Sequence, residues 1–535
     1  MRANVPHHGG VLDTSAPAEP QVTWRWPALA GLVSAGLGLG VAEAVAGLLG
    51  RAATPVVAVG EAFIDRVPGW LKDLAVEWFG TADKAVLIGG VLVVFAALSA
   101  GIGVLTARHR GAGLLAAAAL GIVAAVAVWT RPDTTATDLL PTIVGAGASL
   151  VALDRLVERA VVAGREPPAS ERSVWSRDDE SRRRFLRATA VVAGIAALSG
   201  SVGRWLGSRR SGVEESREAL AVDLGDESAV PPPRGVDLGV EDAEPWQTPN
   251  DVFYRIDTAL SVPLVRAEDW RLRVHGLVER EVSLTFDQLV DIGLVERWVT
   301  LTCVSNEVGG YLAGNALWSG VPVAEVLARA GPVSRADAVR STSADGWTAG
   351  TPLDVLTDGR DALFAIAMNG QPLPVEHGFP VRMVVPGLYG YVSATKWVVD
   401  VEVSRFDDFD AYWTTRGWSE RGPIKTASRI EVPRSGATVR AGRVAVAGMA
   451  WAQHRGIQSV EVRVDDGPWR RARLGVVPST DTWRQWVWEW DAEPGDHELR
   501  VRAITADGEL QIEDEAPPAP DGATGWHRVS VEVQD

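Results

Sequence analysis

Cys303 is the only cysteine in 535 residues, and its setting invites chemistry. The run Arg297-Trp-Val-Thr-Leu-Thr302 reads as a strand that ends at the thiol, and Glu307–Gly314 after it reads as a glycine-containing loop. A thiol at a strand end, followed by a flexible loop, is positioned for chemistry. The competing expectation is a buried, inert cysteine, a common fate of free thiols. No second thiol exists for a disulfide, and no histidine adjoins Cys303 in sequence to support a thiol hydrolase.

A second polar cluster lies in Pro374–Trp397. It contains His377-Gly-Phe-Pro-Val-Arg382 and Val385-Pro-Gly-Leu-Tyr-Gly-Tyr-Val-Ser-Ala-Thr-Lys-Trp397. The glycines let backbone amides approach a ligand closely. Arg382, Ser393 and Lys396 can hold a phosphate through charge-assisted hydrogen bonds. Lysine is scarce, with four against 48 arginines, so Lys396 stands out as a compact cation. Neither a Walker pattern nor a Rossmann glycine fingerprint is present, which points away from a nucleoside triphosphate or a nicotinamide dinucleotide.

Asn250-Asp-Val-Phe-Tyr-Arg255, Leu301-Thr-Cys-Val-Ser-Asn306, His377-Gly-Phe-Pro-Val-Arg382 and Ser393-Ala-Thr-Lys-Trp397 occur in that order. Together they resemble the sulfite oxidase family of molybdopterin enzymes, over about residues 246–535. The resemblance implies a molybdenum cofactor with Cys303 as its one thiolate ligand, a soft donor suited to a metal that also takes sulfur from its cofactor. It implies cofactor contacts from Asn250, Phe253, Tyr254, His377, Arg382, Ser393 and Lys396. It gives Arg255 the role of drawing an oxyanion toward the metal. The chain departs from the family pattern where Ile256-Asp257 follows Arg255 and where Glu307-Val308 follows Asn306. Both departures make the anion pocket less basic and put sulfite in question as substrate. The implied reaction is oxygen-atom transfer, with a small oxyanion or an S- or N-oxide as substrate and a separate electron acceptor. The same fold run as an S- or N-oxide reductase is the first alternative, and a non-catalytic binding module is the second.

The elements that must carry this chemistry follow from composition. A mean hydropathy of +0.06 is high for a chain with 22% charged residues and suggests an average over membrane and soluble regions. The composition excludes a disordered chain, a disulfide scaffold and a clustered zinc module. The net charge of −16 argues against nucleic acid as a partner. Apolar runs at Pro27–Gly50, Ala85–Thr106, Gly111–Thr130, Leu139–Leu156 and Phe185–Leu206 are each close to the roughly 20 residues that cross a bilayer. Arg108 and Arg110 lie between the second and third runs, and Arg155 through Arg184 supply a cluster between the fourth and fifth. The positive-inside rule then places the N-terminus in the cytoplasm and everything after residue 207 outside. The loop 51–84 reads as mixed in charge, with a candidate interfacial helix at Pro68–Phe79. None of the eight histidines falls mid-span, which argues against a bis-histidine haem.

Ser181-Arg-Arg-Arg-Phe-Leu-Arg187 precedes the apolar run Ala188–Leu198 and resembles the twin-arginine export motif. That pathway moves folded domains, as a domain loaded with cofactor in the cytoplasm requires. Residues 1–210 carry 21 basic and 17 acidic side chains, and the remainder carries 31 and 51. From Ile430 the short alternating strands, with Trp486, Trp488 and Trp490 on one face, read as an immunoglobulin-like sandwich.

The expected class is therefore multi-domain: an α-helical transmembrane region, an α+β molybdopterin domain and an all-β immunoglobulin-like sandwich. The expected divisions are a cytoplasmic tail (1–26), a four-helix transmembrane region (27–160), a cytoplasmic loop with the export-like motif and a fifth helix (161–207), a solvated linker (208–245), the catalytic domain (246–427) and a dimerisation domain (428–535) that implies a homodimer. The expected location is the cytoplasmic membrane, with the catalytic domain outside.

Overall fold

The computed structural model describes residues 24–49, 55–66, 83–130, 136–163, 177–210, 212–224 and 231–535. The chain divides into two compact units, Met1–Ser208 and Arg209–Asp535.

The first unit is helical: α1 (Arg25–Leu49), α2 (Pro55–Arg66), α3 (Asp83–Arg108), α4 (Arg110–Trp129), α5 (Leu140–Ala163) and α6 (Arg177–Arg210). Among the described residues, five segments are long and apolar enough to cross a membrane: Arg25–Leu49, Val86–Arg108, Arg110–Trp129, Ala136–Ala163 and Glu180–Trp205. They coincide with the five apolar runs of the sequence. The loop expectation for 51–84 misses α2, whose Pro55 suits a first helical turn. The candidate interfacial helix Pro68–Phe79 lies outside the described residues.

Helix α1 is the axis of this unit, because its glycines let three neighbours approach to backbone contact. A Cβ at Gly31 would strike the Ser99 carbonyl in α3. One at Gly38 would come within 2.9 Å of the Gly145 carbonyl in α5, and ones at Gly40 and Gly47 would strike the α6 backbone at Ala196 and Gly203. Asp154, which interrupts the fourth apolar run, is paired with Arg110 of α4 (Nε to Oδ1, 2.7 Å). Phe185 of the export-like motif is buried, its ring edge-on to Trp26 at 5.5 Å.

The second unit holds a five-stranded mixed sheet, a five-stranded antiparallel sheet and a pair of C-terminal sheets. The first layer runs β2 (Val282–Thr285), β1 (Arg271–Gly276), β10 (Val398–Ser404), β5 (Ala338–Ser343), β6 (Thr348–Pro352), with only β1 and β10 parallel. The second runs β3 (Val295–Thr302), β4 (Ala313–Pro322), β7 (Leu363–Met368), β8 (Gln371–Pro372), with β9 (Arg382–Val384) also on β7. Leu-Phe-Ala-Ile-Ala-Met in β7 is buried at every position, as an apolar run with no polar face demands. Helix α8 (Phe286–Val290) starts where Thr285 caps it through a capping box with Gln288. Helix α9 (Val323–Ala330) buries Val323, Val326, Leu327 and Ala330 and stops at the left-handed Gly331.

The reading of 208–245 as a solvated tether requires correction. Residues Val213–Leu224 form a further helix, α7, here called the strap helix, with Val213 and Leu220 in the catalytic core. Arg217 Nε donates to the Leu373 carbonyl at 3.0 Å. Downstream, Val236 is buried, Leu238 N–H donates to Gln485 Oε1 at 2.6 Å, and Gln485 Nε2 donates to the Glu244 carbonyl at 2.8 Å. A few apolar anchors in a polar stretch do not move its mean composition, yet they decide where it packs.

The C-terminal region is built from two sheets. The first orders Ala427–Val432, Gly442–Trp451, Arg484–Ala492 and Arg473–Leu474. The second orders Ala437–Arg440, Arg528–Gln534, Gly495–Thr505, Ile457–Val464 and Arg470–Arg471. They face a shared core that includes Val446, Val460, Trp486, Trp490, Leu499 and Val501. Trp486 and Trp490 are buried there, and Trp488 is half-buried.

His527 reports on this region. Its Nδ1 accepts the Ile430 N–H at 2.9 Å, and burial, with Arg429 nearby, holds its pKa down to about 4. A folded-state value below the unfolded 6.5 means the unfolded chain binds the proton first. Stability is therefore full above pH 6.5 and is lost as pH falls toward 4, by up to about 3 kcal/mol. Thermal unfolding at pH 7, 6, 5 and 4 checks this: His527→Gln flattens the slope in that window relative to wild type.

Candidate active site

Pairing of β3 with β4 ends at Thr302 and Ala313, so Cys303 is the first residue beyond the ladder. Its N–H still donates to the Leu312 carbonyl at 2.9 Å, which closes the loop. Asn306 stiffens that loop: its N–H donates to the Cys303 carbonyl at 3.1 Å, and its Oδ1 accepts the Leu312 N–H at 2.7 Å. The thiol is buried and lines a cavity of about 120 Å³. Burial pushes its pKa up, while Ser305, through backbone and hydroxyl, works the other way. The thiol is therefore both buried and open to a cavity.

The Pro374–Trp397 cluster supplies the cations. Gly378 has φ +114° and closes a short turn over Val375–His377. A Cβ there would come within 3.0 Å of Arg382 and 3.2 Å of Lys396, so glycine allows the convergence. Arg382 is buried over the Trp318 ring at 5.0 Å, and its Nη1 donates to the His377 carbonyl at 3.0 Å. Burial lowers its pKa to about 10. Lys396 Nζ donates to Asp257 Oδ2 and to the Glu376 carbonyl, each at 3.0 Å. Burial lowers its pKa to about 8, against the opposing pull of Asp257. His377 is buried, its pKa held down to about 3 by burial and then by Arg382 and Lys396, and its Nδ1 has no hydrogen-bond partner.

The aromatic pair completes the floor. Phe253 and Tyr254 stack at 5.2 Å, and Phe253 meets Trp318 and His377 edge-on, each at 5.8 Å. Burial, then Cys303, pushes the Tyr254 hydroxyl far up, so it remains a protonated donor.

Of the residues expected from the sequence, the cavity brings together Phe253, Tyr254, Cys303, Arg382 and Lys396. Four others are placed differently. Arg255 lies outside the cavity lining, its side chain 42% exposed and its Nε paired with Asp257 at 2.9 Å. Asn250 is spent on structure: its Nδ2 donates to the Met368 carbonyl and its Oδ1 accepts from Asn369. The Ser393 hydroxyl donates to backbone carbonyls of Tyr389 and Leu388 in its own turn, α10 (Gly390–Ser393). His377 sits behind Arg382, outside the lining. Sequence reasoning missed the facing wall of Trp347, Tyr391, Trp413 and Trp418. Those residues are scattered over some seventy positions of a chain with 22 tryptophans, and only Tyr391 lies inside a recognised motif.

The donor set fits a phosphate-bearing cofactor with a soft metal. Two buried cations, Arg382 and Lys396, line the cavity together with the thiol of Cys303. Among the described residues no group of three or more His, Cys, Asp or Glu side chains could hold a metal, so a metal at Cys303 takes its other ligands from the cofactor.

Residues 259–413 match the family model described as "Oxidoreductase molybdopterin binding domain". Over 153 residues the chain is 33% identical to the "Uncharacterized oxidoreductase YuiH" of Bacillus subtilis, a match that covers 29% of this chain and 74% of that one. The chain belongs to the sulfite oxidase family of molybdopterin oxidoreductases. It is an enzyme of that family, and the cofactor its cradle serves is the molybdenum cofactor. It is 29% identical over 358 residues to mitochondrial sulfite oxidase of Homo sapiens, covering 57% of this chain and 64% of that protein's length. A solved structure, the sulfane dehydrogenase SoxCD from Paracoccus pantotrophus, aligns with 24% identity and a TM-score of 0.48 over 54% of this chain and 82% of that one.

Asn369 shows how the family cradle is held here. It adopts φ +54°, its Oδ1 accepts the Leu317 N–H at 3.0 Å, and its Nδ2 donates to the Thr248 carbonyl at 2.9 Å and to Asn250 at 2.8 Å. Asn369→Ala removes these bonds and leaves a residue that disfavours that backbone region, so we expect a loss of about 2–4 kcal/mol in urea unfolding.

Proposed function

We propose that the chain is a membrane-anchored, extracytoplasmic molybdenum enzyme that performs oxygen-atom transfer of the sulfite oxidase kind and passes electrons to a separate acceptor. One observation carries this reading: a buried thiol, Cys303, shares its cavity with the buried cations Arg382 and Lys396. When bound, the cofactor supplies two-electron oxygen-atom chemistry, which side chains alone lack.

The residues of the chain have distinct tasks. Cys303 holds the metal as a thiolate and gives up its proton to do so. Arg382 and Lys396 bind the cofactor phosphate, with His377 supporting Arg382 through its carbonyl. The protonated Tyr254 hydroxyl offers a hydrogen bond to an oxygen in the cavity. Trp347, Trp413 and Trp418 exclude water and orient the substrate. Arg255, turned toward Asp257, guides ligands from the cavity edge. A second reading, reduction of S- or N-oxides on the same site, is favoured by that aromatic wall.

The five apolar helices anchor the chain, and the arginine-rich segments between them fix its orientation. The motif Ser181–Arg187 directs export of the folded unit. The C-terminal sheets serve as an immunoglobulin-like dimerisation domain.

Two outcomes are expected. Purified protein contains about one molybdenum per chain by metal analysis, and Cys303→Ala contains essentially none while keeping its circular dichroism. With Arg182 and Arg183 both changed to Lys, the catalytic unit stays on the cytoplasmic side, measured by protease accessibility in intact cells. Steady-state assays with sulfite against sulfoxides then set the direction of the reaction.

A further inference from the structure

The cations around the cavity are already answered by Asp257, and a second carboxylate, Asp345, also lines the cavity. Asp257 Oδ2 lies 2.9 Å from Arg255 Nε and 3.0 Å from Lys396 Nζ, with its side chain 6% exposed. It therefore bridges the cation at the cavity edge and the cation within. If the cofactor phosphate engages Lys396 and Arg382, a monoester charge of about −1.5 to −2 offsets most of what remains. Arg255, Lys396 and Arg382 together then meet nearly equal negative charge, and no net positive field is left for a substrate. An anion entering this cavity would lose its hydration shell without a cation to replace it.

The aromatic part of the lining has the complementary character. Trp413 and Trp418 meet edge-on at 6.2 Å, and Tyr391 lies 6.0 Å from Trp418 with its hydroxyl donated to the Ser419 carbonyl at 2.6 Å. Trp347 and Ile256 extend this surface. Aromatic faces of this kind bind apolar groups and offer little to a small hydrated oxyanion.

We propose that Asp257 is a charge filter: by holding Arg255 and Lys396 it excludes oxyanions from the cavity beside Cys303 and reserves that cavity for an uncharged S- or N-oxide, or its reduced partner, bearing an aryl or branched alkyl group. The proposal rests on the molybdenum-oxidoreductase reading of the same site. Asp257 is a specificity-determining residue in it, acting through the two cations it holds. The protonated Tyr254 hydroxyl is the donor that meets the oxide oxygen.

The test uses the full chain purified with its molybdenum content measured, and two probes that do not react: sulfate and methyl phenyl sulfone. Calorimetric titration at low salt, without reductant, is expected to show the sulfone binding at least tenfold more tightly than sulfate. In Asp257→Asn, sulfate is expected to gain tenfold or more, because a negative charge beside both cations is gone, while the sulfone changes less than threefold. Asp257→Glu is expected to keep the wild-type preference. Equal or tighter binding of sulfate by wild type overturns the proposal, and so does sulfate affinity that Asp257→Asn leaves unmoved. If Asp257→Asn does not fold, the wild-type comparison of the two probes decides by itself. Protein free of molybdenum from a cofactor-producing host overturns the cofactor reading as well; loaded protein that prefers sulfate overturns the filter alone.

Discussion

Arg429 is fully buried, and three segments of the second unit meet at its guanidinium. It pairs with Glu431 of its own strand and with Glu244 of the segment before the catalytic domain, each at 2.6 Å. Its Nη1 donates to the Gly310 carbonyl, in the loop that follows Cys303, at 2.9 Å. The rings of Tyr311, Trp451 and Trp483 surround it. A buried cation left without its partners is strongly destabilising, so these segments cannot separate cheaply. The loop that positions the thiol is therefore fixed from outside the domain that contains it. A second tie reinforces the first. Thr300 Oγ1 accepts the Trp483 N–H at 2.7 Å and donates to Asn315 Oδ1, while Gln453 Nε2 donates to the carbonyl of Thr300 and the hydroxyl of Thr302. β3 is thus held along its length up to the residue before Cys303.

The cavity shows how charge is distributed when burial is unavoidable. Arg382 has only backbone carbonyls and an aromatic face as partners, and its lowered pKa expresses that deficit. Lys396 has Asp257, whose attraction offsets some of the same cost. A site that keeps one cation without a carboxylate and gives the other a shared one is suited to a single bound anion, its cofactor phosphate.

The sequence was most legible where local pattern and global position agree. β3 ending at Cys303, the strands around Trp486 and Trp490 and the five apolar runs each follow from periodicity or length within one element. Cys303, Arg382 and Lys396 were legible because scarce residue types sat in ordered motifs. The strap helix was not, since Val213 and Leu220 are only two anchors in a polar stretch whose partners lie far along the chain. The aromatic wall failed for the same reason. Asp257 was visible only as a departure from a pattern, and that it would bridge Arg255 to Lys396, 139 positions away, is a property of the fold. Asn250 and Ser393 illustrate the converse: they stand in recognisable motifs, but their side chains are engaged in holding the backbone.

The glycines of α1 carry a consequence for how the helical unit comes together. Gly40 and Gly47 present grooves that the α6 backbone fills at Ala196 and Gly203. Helix α6 is the last of the bundle to be synthesised and also the one whose N-terminal turns contain the export-like motif. Its arrival closes a seam that the earlier helices leave open. The fifth helix is thus not an interchangeable peg: replacing it by a generic leucine-rich span would leave those seams unfilled, and a chimera built that way would lose the bundle's fit even while keeping its topology.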